Sequence, residues 1–341
     1  MNTRLAGRRD FLQRMAALGI LGSLPSSLLA HVVTREPTPS PFGSRSTAEE
    51  VTEGLDLDGL TFAITGCNSG LGLETMRVLA MRGAHVIGIG RTRESAEKAC
   101  ASVEGTTTPE FLDLAQWDSV VRCATRIRDM KVPLDGLITN AGIMALPSLE
   151  LVNGVEKQFA VNHLGHFILI NQLRNEVLAA PQGRFVILSS GLHERAEKGI
   201  EFDNLDGSHH YSPWDAYGVS KLANALCARE LARQIEHTEA TANSLHPGVI
   251  KTNLVRHLPG WQQVAMKYFG GLFLKSIPEG AATTCYVATN PGLVGVRGFY
   301  FADCNVSEDT SRFVYDDAMA RRLWQVSEEL TREYLPKNSP L

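Results

Sequence analysis

A tyrosine and a lysine four residues apart, Tyr217 and Lys221, are the side chains in this sequence best suited to proton transfer. On a helix this spacing places both on one face, so the lysine ammonium can lie near the phenol. A nearby positive charge favours the phenolate, so we expect Lys221 to lower the pKa of Tyr217. Such a tyrosine can act as general acid or base between an alcohol and a carbonyl. Upstream, Ser189 and Ser190 end an apolar run and are expected at the carboxyl edge of a sheet, where ligands bind.

A glycine-rich stretch, TGCNSGLG at residues 65–72, follows the first apolar run and precedes a helical pattern. Its glycines, Gly66, Gly70 and Gly72, let the backbone turn tightly and approach a pyrophosphate. The N-terminus of the following helix offers free N–H groups and a positive dipole end to an anion. Between a strand and a helix, this loop predicts a dinucleotide site.

The end of the second apolar run, IGIGRTR, bears on which dinucleotide binds. An NAD site usually has an acidic residue there, which accepts a hydrogen bond from the ribose 2′-hydroxyl. Here Gly90 takes that place and Arg91 follows it. A guanidinium can pair with a 2′-phosphate, so the sequence favours NADP over NAD. The alternative is that Arg91 is a solvated loop residue.

The elements that must position these residues alternate along the chain between short apolar runs and helical patterns. The runs lie at residues 60–66, 85–90, 111–114, 136–142, 184–190, 241–248 and 298–303. Such alternation predicts an α/β fold, in which helices cover both faces of a doubly wound parallel sheet of about seven strands. No repeat or second boundary in composition is visible, so we predict one domain over residues 47–335 and a short tail at 336–341.

The N-terminus has the layout of a bacterial twin-arginine export signal. Arg8 and Arg9 precede an uncharged stretch at residues 15–30, which is shorter than a membrane-spanning helix requires. We therefore predict a signal segment at residues 1–30, a flexible tether at 31–46, and a periplasmic or membrane-anchored protein. The alternative is a chance arginine pair before an amphipathic helix, which would leave the protein in the cytoplasm.

The overall composition excludes several other classes of protein. The formal net charge is −4, so nothing suggests a nucleic-acid partner. The six cysteines show no paired spacing, and we expect free, mostly buried thiols rather than disulfides. No Cys-x-x-Cys pair or histidine pair has metal-ligand spacing, so we predict no metal site.

Taken together, these motifs resemble those of the short-chain dehydrogenase/reductase family, in family order over residues 47–335. The matching stretches are TGCNSGLG, Asp113-Leu114, TNAG at 139–142, VNHLGHF at 161–167, Ser190, Tyr217 with Lys221, and HPGVIKT at 246–252. The resemblance is closest to the branch of retinol dehydrogenases and the oxidoreductase part of WW-domain oxidoreductases. It implies a single Rossmann-fold domain and a redox reaction on an alcohol or a carbonyl.

The resemblance also implies roles for four catalytic residues. Tyr217 would be the general acid/base, and Lys221 would hold the nicotinamide ribose. Ser190 would hydrogen-bond the substrate oxygen. Asn162 would keep a helix locally irregular and anchor a water on the proton-relay path.

For the cofactor, the resemblance places Asp113 at the adenine, Asn140-Ala141-Gly142 beneath the dinucleotide, and Ile250 and Thr252 at the carboxamide. The full expected cofactor set is Gly66, Asn68, Ser69, Gly70, Leu71, Gly72, Arg91, Asp113, Leu114, Asn140, Ala141, Gly142, Tyr217, Lys221, Ile250 and Thr252. Thr139 and Gly90 depart from the family pattern, where Asn and Cys are frequent. Three further histidines, His163, His166 and His193, receive no role and are expected to be structural or solvated.

Residues 253–277 lie where the family has its substrate lid, and they are rich in apolar side chains. Apolar pocket walls suit apolar ligands, so we expect a lipophilic, retinol-, steroid- or aldehyde-like substrate. Core packing or a dimer surface would explain the same composition, and a homodimer is left open. The rival functions are a reductase of polar or sugar-like carbonyls and a non-catalytic NADP-binding regulator.

Overall fold

A computed structural model of the chain describes residues 35–250, 274–308 and 310–337. Its strands are β1 (Thr61–Thr65), β2 (His85–Gly90), β3 (Thr107–Phe111), β4 (Gly136–Thr139), β5 (Leu151–Val152), β6 (Val155–Glu156), β7 (Arg184–Leu188), β8 (Thr241–Leu245), β9 (Tyr300–Ala302) and β10 (Asn305–Val306). Its α-helices are α1 (Ala48–Val51), α2 (Gly70–Met81), α3 (Arg93–Ala101), α4 (Trp117–Asp129), α5 (Lys157–Phe159), α6 (Gly165–Gln172), α7 (Arg174–Leu178), α8 (Pro213–Gln234), α9 (Ile277–Thr289) and α10 (Asp317–Thr331). A π-helical turn, Ala160–Leu164, joins α5 to α6.

The main sheet confirms the predicted doubly wound α/β architecture. In the described residues it has eight strands in the order β10-β9-β8-β7-β4-β1-β2-β3. All neighbouring strands are parallel except β10, which runs antiparallel to β9. The strand order reverses between β1 and β4, and in open α/β sheets ligands bind at the carboxyl ends of the strands at such a point. The glycine loop follows β1 directly.

Each face of the sheet carries its own apolar core, because successive strand residues point to opposite faces. Ala63 packs on one side with residues of α4, α6, α8 and α10, including Phe167 and Leu226. Its neighbour Phe62 packs on the other side with residues of α1, α2 and α9. The two cores fix the sheet between two helical layers. Because the strands β1 to β4 and β7 to β9 are parallel, their carboxyl ends share one edge.

The third strand is where the sequence prediction was wrong. The apolar run at residues 111–114 suggested a strand, but β3 is Thr107–Phe111. This strand lies at the edge of the sheet, where polar side chains and a proline such as Pro109 are tolerated. Apolar periodicity therefore misses it. The short strand β10 at the opposite edge brings the sheet to eight strands, one more than the roughly seven predicted.

The segment before α1 makes specific contacts that a free tether would not make. The backbone N–H of Ser40 donates to Asn305 Oδ1 at 2.8 Å, and Asn305 Nδ2 donates to the carbonyl of Phe42 at 2.9 Å. The Phe42 ring packs edge-on against Tyr286 of α9, with centroids 6.1 Å apart. The described part of the segment expected to be a tether, residues 35–46, thus lies against the domain.

The described residues also bear on cysteine pairing, membrane-spanning helices and metal sites. All six cysteines lie among the described residues, and each is buried and unpaired, which confirms the expectation of free thiols. None of the described helices is long and apolar enough to span a membrane. In the described ranges, no three His, Cys, Asp or Glu side chains are grouped as a metal site would require.

Candidate active site

The tyrosine and lysine lie four residues apart on α8, a helix of 22 residues that begins at Pro213. Proline suits a first helical position because its missing N–H would have no partner there. Both side chains face the sheet and are buried, with Tyr217 7% exposed and Lys221 4% exposed. Lys221 Nζ is 5.8 Å from the centroid of the Tyr217 ring. The spacing therefore places the pair on one buried helix face, as expected.

Ser190 follows β7 and lies beside Tyr217. Its hydroxyl accepts a hydrogen bond from the backbone N–H of Leu192 at 3.2 Å, and it lies close enough to the Tyr217 phenol to lower the pKa of that group. The preceding residue, Ser189, donates its hydroxyl proton to the carbonyl of Lys221 at 2.7 Å. The strand end and the helix are thus bonded to each other at the point where the chemistry was predicted.

The direction of the Tyr217 pKa differs from the sequence expectation. Burial raises the pKa of Tyr217 to about 12, and the nearby Ser190 hydroxyl only partly offsets this effect. Burial also lowers the pKa of Lys221 to about 8, because its ammonium is removed from water. Lys221 Nζ donates to the carbonyl of Leu188 at 3.2 Å. Desolvation therefore sets the direction of the shift in the Tyr217 pKa, and the phenol is protonated at neutral pH, ready to donate a proton.

Asn162 lies within the π-helical turn and joins three elements. Its Oδ1 accepts from the backbone N–H of Ile143 at 2.8 Å, and its Nδ2 donates to the Ile143 carbonyl at 2.9 Å. Nδ2 also donates to Ser220 Oγ, and that hydroxyl donates in turn to the Tyr217 carbonyl. Turns of π-helix occur frequently at functional sites. The irregular helix that the resemblance implies is present at this residue.

The glycine loop is built so that β1 and α2 can approach each other closely. Gly66 has φ of +73°, a conformation that favours glycine. A Cβ on Gly72 would lie 2.2 Å from the Gly66 carbonyl oxygen, so no side chain fits there. Asn140 Nδ2 donates to the carbonyl of Thr65 at 2.8 Å, which fastens the loop after β4 to the end of β1.

The N-terminus of α2 is chemically open. Its N-cap residue, Ser69, makes no side-chain capping bond, and the first turn carries no acidic residue. By contrast, Ser276 and Glu279 form a reciprocal capping box at the start of α9. Asn68 and Ser69 are exposed. Uncapped N–H groups and the helix dipole suit a phosphate, so this end of α2 fits the pyrophosphate of a dinucleotide.

Arg91 lies directly after β2 and is exposed. It has no hydrogen-bonding or ion-pair partner in the part of the chain that the structure describes. A Cβ on Gly90 would meet Ser95 Oγ at 2.8 Å and the Ala96 N atom at 2.9 Å. Because no side chain fits at residue 90 without rearrangement, the acidic residue of an NAD site has no room there. Arg91 is the first charged residue after β2.

Asp113 follows β3 and is half-buried. Its Oδ1 accepts from the backbone N–H of Ala115 at 2.9 Å, and its own N–H donates to Ser119 Oγ at 3.1 Å. The neighbouring Leu114 is buried, and a Cβ on Gly165 would meet its carbonyl oxygen at 2.8 Å. The turn is therefore fixed at the carboxyl edge of the sheet, on the side of the expected adenine.

The cofactor loop and the catalytic residues meet at Gly142. A Cβ placed on this exposed glycine would lie 3.1 Å from Asn162 Oδ1 and 3.5 Å from Lys221 Nζ. On the far side, Ile250 and Leu71 both come within 3 Å of the Cβ position at Gly280. Gly142 thus brings the expected cofactor loop next to two of the predicted catalytic residues, Asn162 and Lys221.

Thr252 and most of the expected lid at residues 253–277 lie outside the described residues. So do the predicted signal at residues 1–30 and most of the tail at 336–341.

Three residues that the sequence analysis did not assign belong to this arrangement. Asn224 Nδ2 donates to the Leu188 carbonyl at 2.9 Å, the same oxygen that Lys221 uses. Asn224 follows Lys221 by three residues, and this helical spacing was the available signal. Thr65 and His166 are the others, and they bond to each other at 2.9 Å.

None of the three unassigned histidines is solvated. His163, His166 and His193 are each 1% exposed. His193 donates from Nδ1 to the Ser190 carbonyl at 2.6 Å, and its Nε2 lies 2.7 Å from Thr310 Oγ1. Of the two alternatives expected for these histidines, structural or solvated, the structural one holds, because all three rings are buried.

Comparison with known proteins finds relatives that match most of this chain. A family profile described as short chain dehydrogenase matches residues 61–263. "Short-chain dehydrogenase TIC 32 B, chloroplastic" of Brassica napus is 42% identical over 312 residues, which cover 88% of this chain and 97% of that one. Human retinol dehydrogenase 14 is 38% identical over 80% of this chain and 86% of its own length. Human WW domain-containing oxidoreductase is 34% identical over 90% of this chain and 76% of its own length.

A solved structure of a Mycobacterium paratuberculosis protein has a similar fold. It is 34% identical to this chain, with a TM-score of 0.67, and covers 84% of this chain and 98% of its own length. Retinol dehydrogenases and WW-domain oxidoreductases, the two groups in the branch named from the sequence, are thus both among the relatives.

Proposed function

The chain belongs to the short-chain dehydrogenase family, and from this premise we propose that it is an NADP-dependent oxidoreductase with Tyr217 as its general acid/base. The family binds NAD or NADP and acts on alcohol or carbonyl groups. The observation that carries the proposal is that Lys221, which shares a buried helix face with Tyr217, also reaches the loop at Gly142. A protein that only bound a nucleotide would not need a buried acid/base pair beside it.

In this proposal the chain's own residues hold the substrate and move one proton. When bound, NADPH would supply the hydride. The Ser190 hydroxyl and the Tyr217 phenol both bond the carbonyl oxygen, and Tyr217 gives its proton to that oxygen as negative charge develops. Lys221 Nζ lies 5.8 Å from the centroid of the Tyr217 ring, so its charge stabilises the phenolate that remains. Burial of both groups excludes water and strengthens these interactions.

The preference for NADP rests on Arg91. Its guanidinium is uncommitted among the described residues, and Gly90 leaves no room for a competing carboxylate. A guanidinium pairs with phosphate oxygens in a bidentate manner, and this pairing favours the 2′-phosphate of NADP over the 2′-hydroxyl of NAD.

The substrate proposed for this site is lipophilic. The name of retinol dehydrogenase 14 points to a lipophilic alcohol, and the sequence is rich in apolar residues over 253–277. A polar, sugar-like carbonyl is the rival substrate class. Purified full-length chain should therefore be tested with NADPH and NADH against medium-chain aldehydes, retinal, steroid ketones and keto-sugars. Turnover of the lipophilic group with NADPH is expected. If only the keto-sugars react, the substrate class is wrong.

For the leader, we propose that residues 1–30 direct twin-arginine export after the domain has folded around its dinucleotide. The support is the arginine pair, Arg8 and Arg9, before a short uncharged stretch. The test is fractionation of bacteria that express the native chain and the double variant Arg8→Lys/Arg9→Lys. Export that requires the arginine pair is expected. A protein that stays cytoplasmic with an intact N-terminus in both cases would refute export.

A further inference from the structure

A buried histidine, His166, connects the helix turn that carries Asn162 to the end of β1. Its Nδ1 lies 2.9 Å from the carbonyl oxygen of Asn162. Its Nε2 lies 2.9 Å from the hydroxyl of Thr65. The ring is 1% exposed, so both nitrogens depend on these partners. Thr65 ends β1, immediately before the glycine loop.

These partners fix the tautomer of the ring. A carbonyl oxygen can only accept a hydrogen bond, so Nδ1 of His166 must carry the proton. In a neutral ring Nε2 is then an acceptor, and the single hydroxyl proton of Thr65 must point to it. Burial lowers the pKa of His166 to about 4, so the ring is neutral at neutral pH.

The orientation of the Thr65 hydroxyl matters because two other groups use the same oxygen. The backbone N–H groups of Asn140 and Ala141 both donate to Thr65 Oγ1, each at 3.0 Å. A hydroxyl oxygen has two lone pairs, and the two amides need both. If Nε2 of His166 donated to this oxygen, it would occupy one of them, so the Thr65 proton must point to His166 instead. The ring thus completes the set of bonds that holds the loop bearing Gly142.

We propose that His166 is a positioning residue for the reaction proposed above: its Nδ1–H tautomer orients the Thr65 hydroxyl, which holds the 140–142 loop against the cofactor and in register with Asn162. The inference rests on the proposed function for its effect on NADPH. Its structural core, the tautomer and the two amide bonds, stands without the cofactor.

Two nearly isosteric variants separate the two contacts of the ring. In His166→Gln, the side-chain amide oxygen can occupy the position of Nε2 and accept from Thr65. In His166→Asn, the side-chain amide nitrogen can occupy the position of Nδ1 and donate to Asn162, but Thr65 loses its acceptor. The proposal predicts that the amides of Asn140 and Ala141 stay bonded to Thr65 in the Gln variant and that these bonds weaken in the Asn variant.

His163 provides a matched control from the same turn. It is equally buried, and its Nε2 lies 2.8 Å from Ser327 Oγ on α10. Among the described residues, no hydrogen bond joins it to Thr65 or to residues 140–142. The variant His163→Asn should lower the melting temperature by a similar amount but leave the NADPH affinity within about twofold.

The experiment measures NADPH affinity by fluorescence titration, kcat and KM separately, and hydrogen exchange at the amides of Asn140 and Ala141 in the absence of cofactor. His166→Asn should weaken NADPH binding by about tenfold and speed exchange at both amides by at least that factor, the size expected for losing one buried hydrogen bond. His166→Gln should stay within about threefold of the native chain. Equal losses in the Asn and Gln variants, or the same loss in His163→Asn, would overturn the proposal.

A measurement on the unmodified chain covers the case in which a variant does not fold. The ¹⁵N shifts of the His166 ring should report a neutral ring protonated at Nδ1, and a ring protonated at Nε2 would overturn the proposal. If the native chain binds neither NADPH nor NADH, the proposed function fails. The ring shifts and amide exchange still test the positioning role in that case.

Discussion

The two halves of the candidate site differ in how their polar groups are satisfied. In the catalytic half, formed by Ser190, Tyr217, Lys221 and Asn162, the side chains are largely buried and bonded to other parts of the chain. In the cofactor half, formed by residues 66–72 with Arg91, the α2 N-terminus is uncapped and the arginine is exposed without a described partner.

This difference separates two physical requirements. A proton donor must be held in one geometry and kept from water, so the fold provides its partners in advance and burial sets its pKa. A binding surface for a charged ligand must leave donors unsatisfied until the ligand arrives. The catalytic half should therefore respond to substitution through turnover, and the cofactor half through affinity and cofactor choice.

The largest effect on the cofactor half is expected from Gly72→Ala. The added Cβ would lie 2.2 Å from the Gly66 carbonyl, so the loop must move away from its present position. Relieving this contact requires a displacement of about 1 Å, and a misplacement of that size can cost about a hundredfold. We expect NADPH affinity, measured by titration, to fall by at least that factor. Gly43→Ala is the control, because nothing lies within 4 Å of its Cβ position. Affinity unchanged in Gly72→Ala would show that the loop does not hold the dinucleotide.

A smaller effect, on cofactor choice, is expected from Arg91→Asp. The change removes the partner of the 2′-phosphate and adds an acceptor for a 2′-hydroxyl. Losing a charge-assisted bond costs roughly 1.5–3 kcal/mol, so the ratio of kcat/KM for NADPH to that for NADH should fall about 10- to 100-fold. Arg321→Asp on α10 makes the same charge change on a remote exposed helix face. If the ratio does not change, Arg91 does not determine the choice between NADP and NAD.

The smallest expected effect is a pH dependence of the free energy of unfolding, which arises from two buried histidines in and beside the π-helical turn of Asn162. Burial lowers the pKa of His163 to about 3 and of His166 to about 4 from the ordinary 6.5. Below pH 6.5 these two histidines therefore bind protons in the unfolded chain but stay neutral in the folded chain. The free energy of unfolding should fall as the pH drops from 6.5 toward 4.

Urea unfolding at pH 7, 6 and 5 tests this dependence. His163→Asn removes one titrating group, so its slope should be shallower by up to about 1.4 kcal/mol per pH unit. Equal slopes for the native chain and the variant would mean that His163 titrates alike in both states.

Features that a local sequence pattern marks were predictable, and features that depend on burial or on distant contacts were not. The central strands were found because buried apolar runs mark them, whereas β3 was misplaced because Thr107 to Glu110 follow the rules of a sheet edge. Motif spacing located Tyr217, Lys221 and the glycine loop. Spacing carries no information on desolvation, so the direction of the Tyr217 pKa was missed. The burial of His166 and its bond to Thr65 join residues 101 positions apart, and no local pattern reports such a contact.

The substitution Tyr217→Phe, measured for turnover and NADPH binding in the same preparation, tests the central claim most directly. Only the phenolic oxygen is removed from a buried ring, so packing is conserved and the transferable proton is lost. General acid–base catalysis contributes roughly 10²- to 10⁴-fold, and kcat should fall by about that factor on any aldehyde the native chain reduces, while NADPH affinity stays within about threefold. A variant that keeps most of the native kcat would contradict the assignment of Tyr217 as the proton donor.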